Sequence, residues 1–434
     1  MNQTLIAIVI FILTYVIIAT EKINRTVAAL SGATLLILFN VFDINEAISY
    51  VNWDTIGLLF GMFIIVAALS DAGFFSYLAL KLARLLDYSP VKIFIFFPVI
   101  AGILSGFMDS VTVMLFFATL TYEICKILKM DATPLVITEV LLANIGGSAT
   151  MVGDPPNIIL GLKLGFSFND FIIHNAPISI VAGAFTLLYC YFVNRKSIVP
   201  SGEIAKDELK EMDPEEVIED RKQFKTALIA FGVAVFLLIV HNYIERYIHI
   251  PLTAPLAPIV PAIIMLGILG KRAERIISKV NFEILLFFIG LFIVVGGLEH
   301  TGVINIIADY VTDQFKNNQF GLLSALLWGS GVISGVIDNV PYALSMASIL
   351  EGIAGFIGIP ALSIMVWATS LGTDIGGNFT PIGASANVVA YTTMEKRGKP
   401  IGWVKWLKIS IPATLISLTI SHIGIFIKYI TGFF

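Results

Sequence analysis

The chain has 434 residues, 57% of them hydrophobic and 13% charged, with a formal net charge of −4 and a mean hydropathy of +0.90. A soluble domain carries about 25% charged residues, so a water-exposed protein of this length could not cover its surface, and the composition is that of an all-α polytopic membrane protein. No basic face offers itself to nucleic acid. Cys125 and Cys190, in separate apolar stretches, make neither a disulfide framework nor a metal site. His174, His241, His249, His300 and His422 are scattered without ligand spacing and read as interfacial or surface residues.

A helix crossing ~30 Å of hydrocarbon needs about 20 mainly apolar residues. The first candidate, 4–20, has no basic residue before it and no small-residue cleavage site, so it reads as a retained span rather than a signal peptide. Spans 26–42 and 54–70 follow, then an amphipathic stretch, 72–86, predicted to lie along the cytoplasmic interface. Residues 93–126 are apolar but interrupted by LSGFMDSVT, and 133–162 are broken by Gly-Gly, Thr, Pro and Asn. After span 174–194 comes the only long polar segment, 195–225, which holds seven of the 27 Lys and Arg and reads as a solvated linker without chemistry. Spans 226–244, 254–270 and 282–298 lead to a second interrupted stretch, 321–357 (ISGVIDNVP), a second broken one, 361–394, and a last span, 407–427.

Reading 93–126 and 321–357 as re-entrant hairpins, and the two Gly-broken helices as full crossings, leaves about ten spans and places both termini on one side. All the Lys and Arg except Lys163, Arg246, Lys316 and Lys428 then fall on the opposite face, which the positive-inside rule makes cytoplasmic. The termini are accordingly predicted outside the cell (inner) membrane and the 195–225 loop inside.

The chain repeats itself. An offset of 229 aligns VNWDTIGLLFGMFIIVAALSDAGFFSYLA (51–79) with VNFEILLFFIGLFIVVGGLEHTGVINIIA (280–308), and pairs Ser105-Gly106 with Ser334-Gly335 and Asp109 with Asp338. An offset of 230 then pairs Asn144, Thr150, Gly153 and Asn157 with Asp374, Thr380, Gly383 and Asn387. Shared apolar composition does not reproduce Asp, Asn, Thr and Gly at fixed spacing. Five crossings separate the copies, so they are two inverted-topology repeats, the architecture of secondary transporters. The predicted organisation is two scaffold spans in 1–50, a first repeat in 51–194, the linker with two connecting spans in 195–281, and the second repeat in 282–434, its motif starting at 280.

Polar backbone at membrane depth is tolerated only where protein buries it or a cavity hydrates it. The candidate site therefore gathers Asp109, Ser110 and Thr112 at the first tip and Asp338 and Asn339 at the second. The broken helices add Asn144, Ser148, Thr150, Asp154 and Asn157, with Asp374, Asn378, Thr380, Ser385 and Asn387. Asp109, Asn144, Asp338 and Asn378 are the candidate sodium ligands. Asp109 and Asp338 equally stand where N-caps would, and the Gly pairs read as the points where the chain leaves the helix, with close helix packing as the alternative. Glu123, Glu139 and Glu351 rank below the repeat-matched aspartates. A carboxylate at mid-membrane costs on the order of 2.5–3.5 kcal/mol. With no Lys or Arg in the core of any span, an Asp-rich site without a basic partner favours cations and protons. No His or Cys joins the repeat-matched positions, which argues against an enzyme, and no cofactor is expected beyond H+ or Na+ as coupling ion.

The run LSGFMDSVTVMLFFATLTYEICKILKMDATPLVITEVLLANIGGSATMVGDPPNIILG (104–161), with GVIDNVPYALSMASI (335–349) and LGTDIGGNFTPIGASANVVA (371–390), resembles the ArsB/NhaD permease group of the ion transporter superfamily. That group includes arsenite permeases, NhaD-type sodium/proton antiporters and the melanosomal P protein. The resemblance implies a homodimer in the lipid bilayer, each protomer with a scaffold and a moving part in an elevator-type cycle that carries a small inorganic ion or solute. Where relatives carry Asp-Asn at the first tip this chain has Asp109-Ser110, and the Ser-Asn-Thr tip of divalent-anion/sodium symporters is absent, which weighs against dicarboxylate or citrate uptake. Sodium/proton antiport is the first expectation, arsenite or antimonite efflux the second, and anion transport or a channel the third.

Overall fold

A computed structural model describes residues 3–20, 22–198, 213–249, 251–315, 318–357 and 359–433, without the side chains of 355–361. Lys316 and residues 199–212 of the expected linker lie outside the described residues. The described chain is helical, with no strand. Among the described residues seven helices are long and apolar enough to cross a membrane: α1 (Gln3–Thr20), α4 (Trp53–Asp71), α7 (Ser110–Ile127), α11 (Ala176–Asn194), α12 (Arg221–Tyr243, continued to Ile248), α15 (Phe282–His300) and α21 (Trp403–Thr431). Shorter apolar helices are α2 (Arg25–Leu38), α6 (Pro90–Ser105), α8 (Ala132–Gly147), α13 (Leu256–Leu269) and α17 (Gln319–Ser334). The remainder are α3 (Ile44–Ser49), α5 (Phe74–Leu85), α9 (Pro155–Leu164), α10 (Phe168–His174), α14 (Arg272–Ile277), α16 (Val303–Phe315), α18 (Asn339–Ile357), α19 (Ile359–Gly376) and α20 (Ser385–Lys396).

Two groups of helices pack against each other. In the first, α2 lies on α15 and α1, and α4 lies on α13 and α12. Both α4 and α15 are apolar around their whole circumference and largely buried, the pattern of a helix enclosed by others. Each starts under an asparagine cap: Asn52 accepts the Thr55 amide at 2.8 Å and Asn281 the Ile284 amide at 3.3 Å. Each also carries a glycine at its crossing. Gly61 meets the backbone of Pro258 and Ile259 on α13, and Gly290 meets that of Ala29 and Leu30 on α2. Small residues let helix backbones approach where lipid offers no hydrophobic drive for association.

The second group holds the two hairpins, α6–α7 and α17–α18, and the two broken helices, α8–α9 and α19–α20. Helix α6 packs on α8 and α17 on α19, while α7 packs on α20 and α18 on α9, so each hairpin touches both broken helices. Helices α11 and α21 back the assembly.

The breaks correct one expectation. Gly146 and Gly147 are still helical, and α8 ends only at Gly147 with Ser148 as its C-cap, the open stretch running to Asp154. Likewise α19 runs to Gly376, followed by a 3-10 turn, Gly377–Phe379. The glycines serve contact: a β-carbon on Gly146 would fall on the backbone of Gly102 in α6, and one on Gly376 on the backbone of Gly331 in α17. A second correction concerns His241, which is buried in α12 with Nδ1 2.8 Å from the Leu238 carbonyl, rather than at a surface.

Candidate substrate and ion site

The two hairpin tips converge on Asp154. Asp154, at the start of α9, accepts the Ser110 hydroxyl at 3.3 Å and the Asn339 amide at 3.0 Å, one donor from each tip. Asp109 caps α7, accepting the Thr112 amide at 2.9 Å and its hydroxyl at 2.6 Å. Asp338 accepts the Val340 amide at 3.0 Å and the Ser385 hydroxyl at 3.1 Å. Capping and facing the site thus coexist in both aspartates.

The expectation of a site without a basic partner is overturned. Arg25, the first residue of α2, reaches Asp338 at 3.3 Å and the Ser385 hydroxyl at 2.7 Å, and its guanidinium lies 5.1 Å from the centre of the Phe287 ring. A long side chain rooted at a helix end carries its charge well away from its own backbone, so a count of charges inside spans misses it.

Three neighbouring spaces, which share lining residues, surround these groups. The largest, about 290 Å³, is bounded by Asn24, Arg25, Asp338 and Ser385, with apolar walls from Val111, Val336 and Ile382. A space of about 30 Å³ lies between Arg25, Asp109, Ser110, Asp154, Asn339 and Ser385. A third, about 190 Å³, runs from Asp109 and Thr112 to Lys279 and Asn281.

The other predicted residues line none of these three spaces. Thr150 gives its hydroxyl to the Gly106 carbonyl, and Thr380 gives its own to that of Gly335 at 2.6 Å, strapping each broken helix to a tip. Asn157 donates to the carbonyls of Gly147 and Thr150 at 3.1 and 3.0 Å, and Asn387 to those of Gly377 and Thr380 at 2.9 and 2.8 Å. Asn144 donates to Asn378 and Asn387, each at 2.8 Å, and Asn378 to the Leu141 carbonyl at 3.1 Å. Ser148 bonds the Ile145 carbonyl and Ser179. Asp374 is fully buried beside Asp154 and Asn157, and neither of its oxygens meets a donor. The four candidate sodium ligands are therefore not gathered: Asp109 and Asp338 face the spaces, while Asn144 and Asn378 are buried against each other.

Arg25 was not among the residues the sequence singled out, nor were Asn175 and Ser370. Asn175 donates to the Ser148 carbonyl at 3.2 Å and to Ser370 at 2.8 Å, and Ser370 donates to Asn157 at 2.6 Å. Arg25 and Ser370 fall opposite the apolar Ala254 and Val140 of the other repeat and Asn175 opposite the unlike Lys405, so matching the repeats did not mark them. Glu139, ranked low, is buried with one oxygen 2.5 Å from the Thr121 hydroxyl and the other unpartnered.

Hairpins whose tips converge on one aspartate between two broken helices, in a chain of apolar helices, define a multi-pass membrane transporter of small solutes rather than an enzyme. The chain belongs to the citrate transporter family, whose model matches residues 15–372. It is 35% identical over 435 residues to the 46 kDa membrane protein of Mycobacterium leprae, covering 99% of each chain. It is 27% identical to the human P protein, covering 99% of this chain and 60% of that one. The fold is similar to that of the Alcanivorax borkumensis YdaH transporter, with a TM-score of 0.59 at 11% identity over 100% of this chain and 99% of the other.

Proposed function

We propose that the protein is an ion-coupled secondary active transporter working by alternating access, with sodium/proton antiport as its leading activity. The observation that carries this reading is the imbalance of charge at the tips. Asp109, Asp154 and Asp338 border the two spaces around Arg25, and among the described residues Arg25 is the one cationic residue bordering either. One guanidinium offsets one carboxylate, and the remainder calls for a cation or protons. In an elevator-type cycle the hairpins and broken helices move against α1, α2, α4 and α15. Among the described residues two ion pairs span that boundary, Arg25 with Asp338 and Lys163 with Glu299. Both would have to part as the unit moves. The cell (inner) membrane, external termini, a cytoplasmic 195–225 loop and a homodimer complete the proposal.

Arg25 supports a second reading, a small anion such as a carboxylate, which the family's description as citrate transporters also favours. The ArsB/NhaD motifs keep proton-coupled arsenite or antimonite efflux as a third.

Purified protein in sealed vesicles, with a trapped pH dye and an imposed proton gradient, separates these readings. Proton movement on adding sodium, lost in Asp109→Asn and Asp338→Asn, is the expected result. A response confined to citrate and lost in Arg25→Gln moves the cargo to the anion, and one confined to arsenite moves it to the third reading. Silence from folded protein with every solute sinks proton-coupled transport of these species.

A further inference from the structure

We propose that the coupling proton resides on Asp374 and passes to and from the cavity through Asp154; the proposal rests on the proton-coupled reading above. Asp374 is fully buried, and neither carboxyl oxygen has a donor. An ionised carboxylate left so in a membrane interior is costly, and a proton or a bound cation removes the cost. Asp374 borders none of the three spaces at the tips, and a proton needs no room.

The repeat supplies an independent argument. At the matching position of the first half stands Asn144, whose amide is a donor, reaching Asn387 at 2.8 Å. The counterpart of Asn387 is Asn157, beside which Asp374 lies. A carboxyl group carrying its proton is a donor in the place where the amide is one, and a carboxylate is an acceptor only. The second half has thus kept the geometry of the first with a donor that can be given up.

The route outward is short. Asp154 adjoins Asp374, holds Ser110 and Asn339 from the two tips, and borders the 30 Å³ space together with Asp109. In the release step Asp374 gives its proton to the Asp154 carboxylate, and Asp154 gives it to water in the cavity; uptake is the reverse. The charge of the pair changes by one only when the proton leaves. The titratable and charged groups on the helices packed against α19 are engaged elsewhere. Glu139 of α8 faces Thr121, Lys163 of α9 faces Glu299, and Glu351 of α18 faces Lys163. Tyr342 of α18 bonds Ser330 of α17. On α21, Lys405 faces Asp131, Lys408 is exposed, His422 faces Ser324 and Trp328, Lys428 faces His174, and Tyr429 faces Gln319. Asp154 is left as the charge that bears on Asp374.

The test uses the full chain in sealed vesicles. Exchange of labelled sodium, or of labelled citrate where sodium is not carried, is read beside proton movement from the trapped dye. Asp374→Asn installs the residue that the first half already carries at this position. It is expected to keep tracer exchange and to lose proton movement. Proton movement retained at the wild-type level overturns the proposal, as does loss of tracer exchange together with proton movement in folded protein. Infrared spectra decide the point apart from transport. Glu139→Gln protein, freed of the other buried acid with an unpartnered oxygen among the described residues, is expected to show a protonated-carboxyl band at neutral pH that disappears when Asp374→Asn is added. Absence of that band overturns the proposal whatever the vesicles show, whereas its presence with no transport of either tracer overturns the transport reading alone.

Discussion

The two halves of the molecule hold their backbones in the same way and fill their sites differently. In each, a threonine straps a tip carbonyl (Thr150 to Gly106, Thr380 to Gly335), an asparagine clamps two carbonyls across the break (Asn157, Asn387), and a glycine pair sets the hairpin against the broken helix. Around this shared frame the charges and their partners differ. Asp109 is answered by Thr112, but Asp338 by Arg25 and Ser385. Asp154 corresponds to Ala384, and Asn144 to Asp374. A duplicated frame fixes the depth and the approach of the tips, which leaves the polar side chains free to diverge without loss of the fold. Matching positions should then behave alike under mutation and unlike positions should not.

The glycine pairs give the largest effect by which that comparison can be broken. Gly146→Leu and Gly376→Leu each drive a side chain into the facing helix backbone, and forced overpacking of this kind costs about 3 kcal/mol. Thermal unfolding in detergent should fall sharply and by a similar amount for both. A variant that left one half unaffected would mean that the two helix crossings are not equivalent. The threonine straps come next. Thr150→Val and Thr380→Val keep the shape and leave a buried carbonyl without its donor, at about 1–3 kcal/mol each. Again the two halves should agree, and a large difference in melting temperature between the variants would count against a common frame.

The frame was more legible in the sequence than the site. Asn52 and Asn281, and Gly61 and Gly290, recur at one offset because a cap and a close helix crossing each tolerate few residue types, so the same constraint leaves the same letters in both halves. The membrane composition of the chain was plain for a similar reason, since apolar surface must be written along every helix. Arg25 escaped because it belongs to a helix start in sequence and to the tip in space, a distance bridged by its own side chain. The Gly-Gly pairs were read as unwinding because glycine serves both a broken helix and a close crossing; the letters are identical and the neighbouring helix decides. His241 looked superficial because one apolar span resembles another until packing shows which face is covered. Asn175 stands opposite Lys405 and Ser370 opposite Val140, and a residue without its like in the other repeat has no pattern to announce it.

The smallest effect lies at the rim of the first half. Asp131 caps α8, accepting the Thr133 amide at 3.0 Å, and pairs with Lys405 at 3.0 Å. Partial burial pushes its carboxyl upward, but the Thr133 amide and hydroxyl and the Lys405 ammonium outweigh that and hold it below the usual carboxylate range. A carboxyl lowered in the folded state adds stability above its unfolded value, about 3.9 for Asp, and that stability is lost as pH falls through the lower folded value. Both partners are substantially exposed, so screening keeps the ion pair to about 0.2–1 kcal/mol. Lys405→Gln should therefore lower the melting temperature slightly at neutral pH, with the gap to wild type closing as the pH drops below that of an ordinary carboxylate and shrinking in high salt. The second half has Ala361 at the position matching Asp131, so this pair has no counterpart in the shared frame. A gap that grew on acidification would show that Lys405 acts on something other than Asp131.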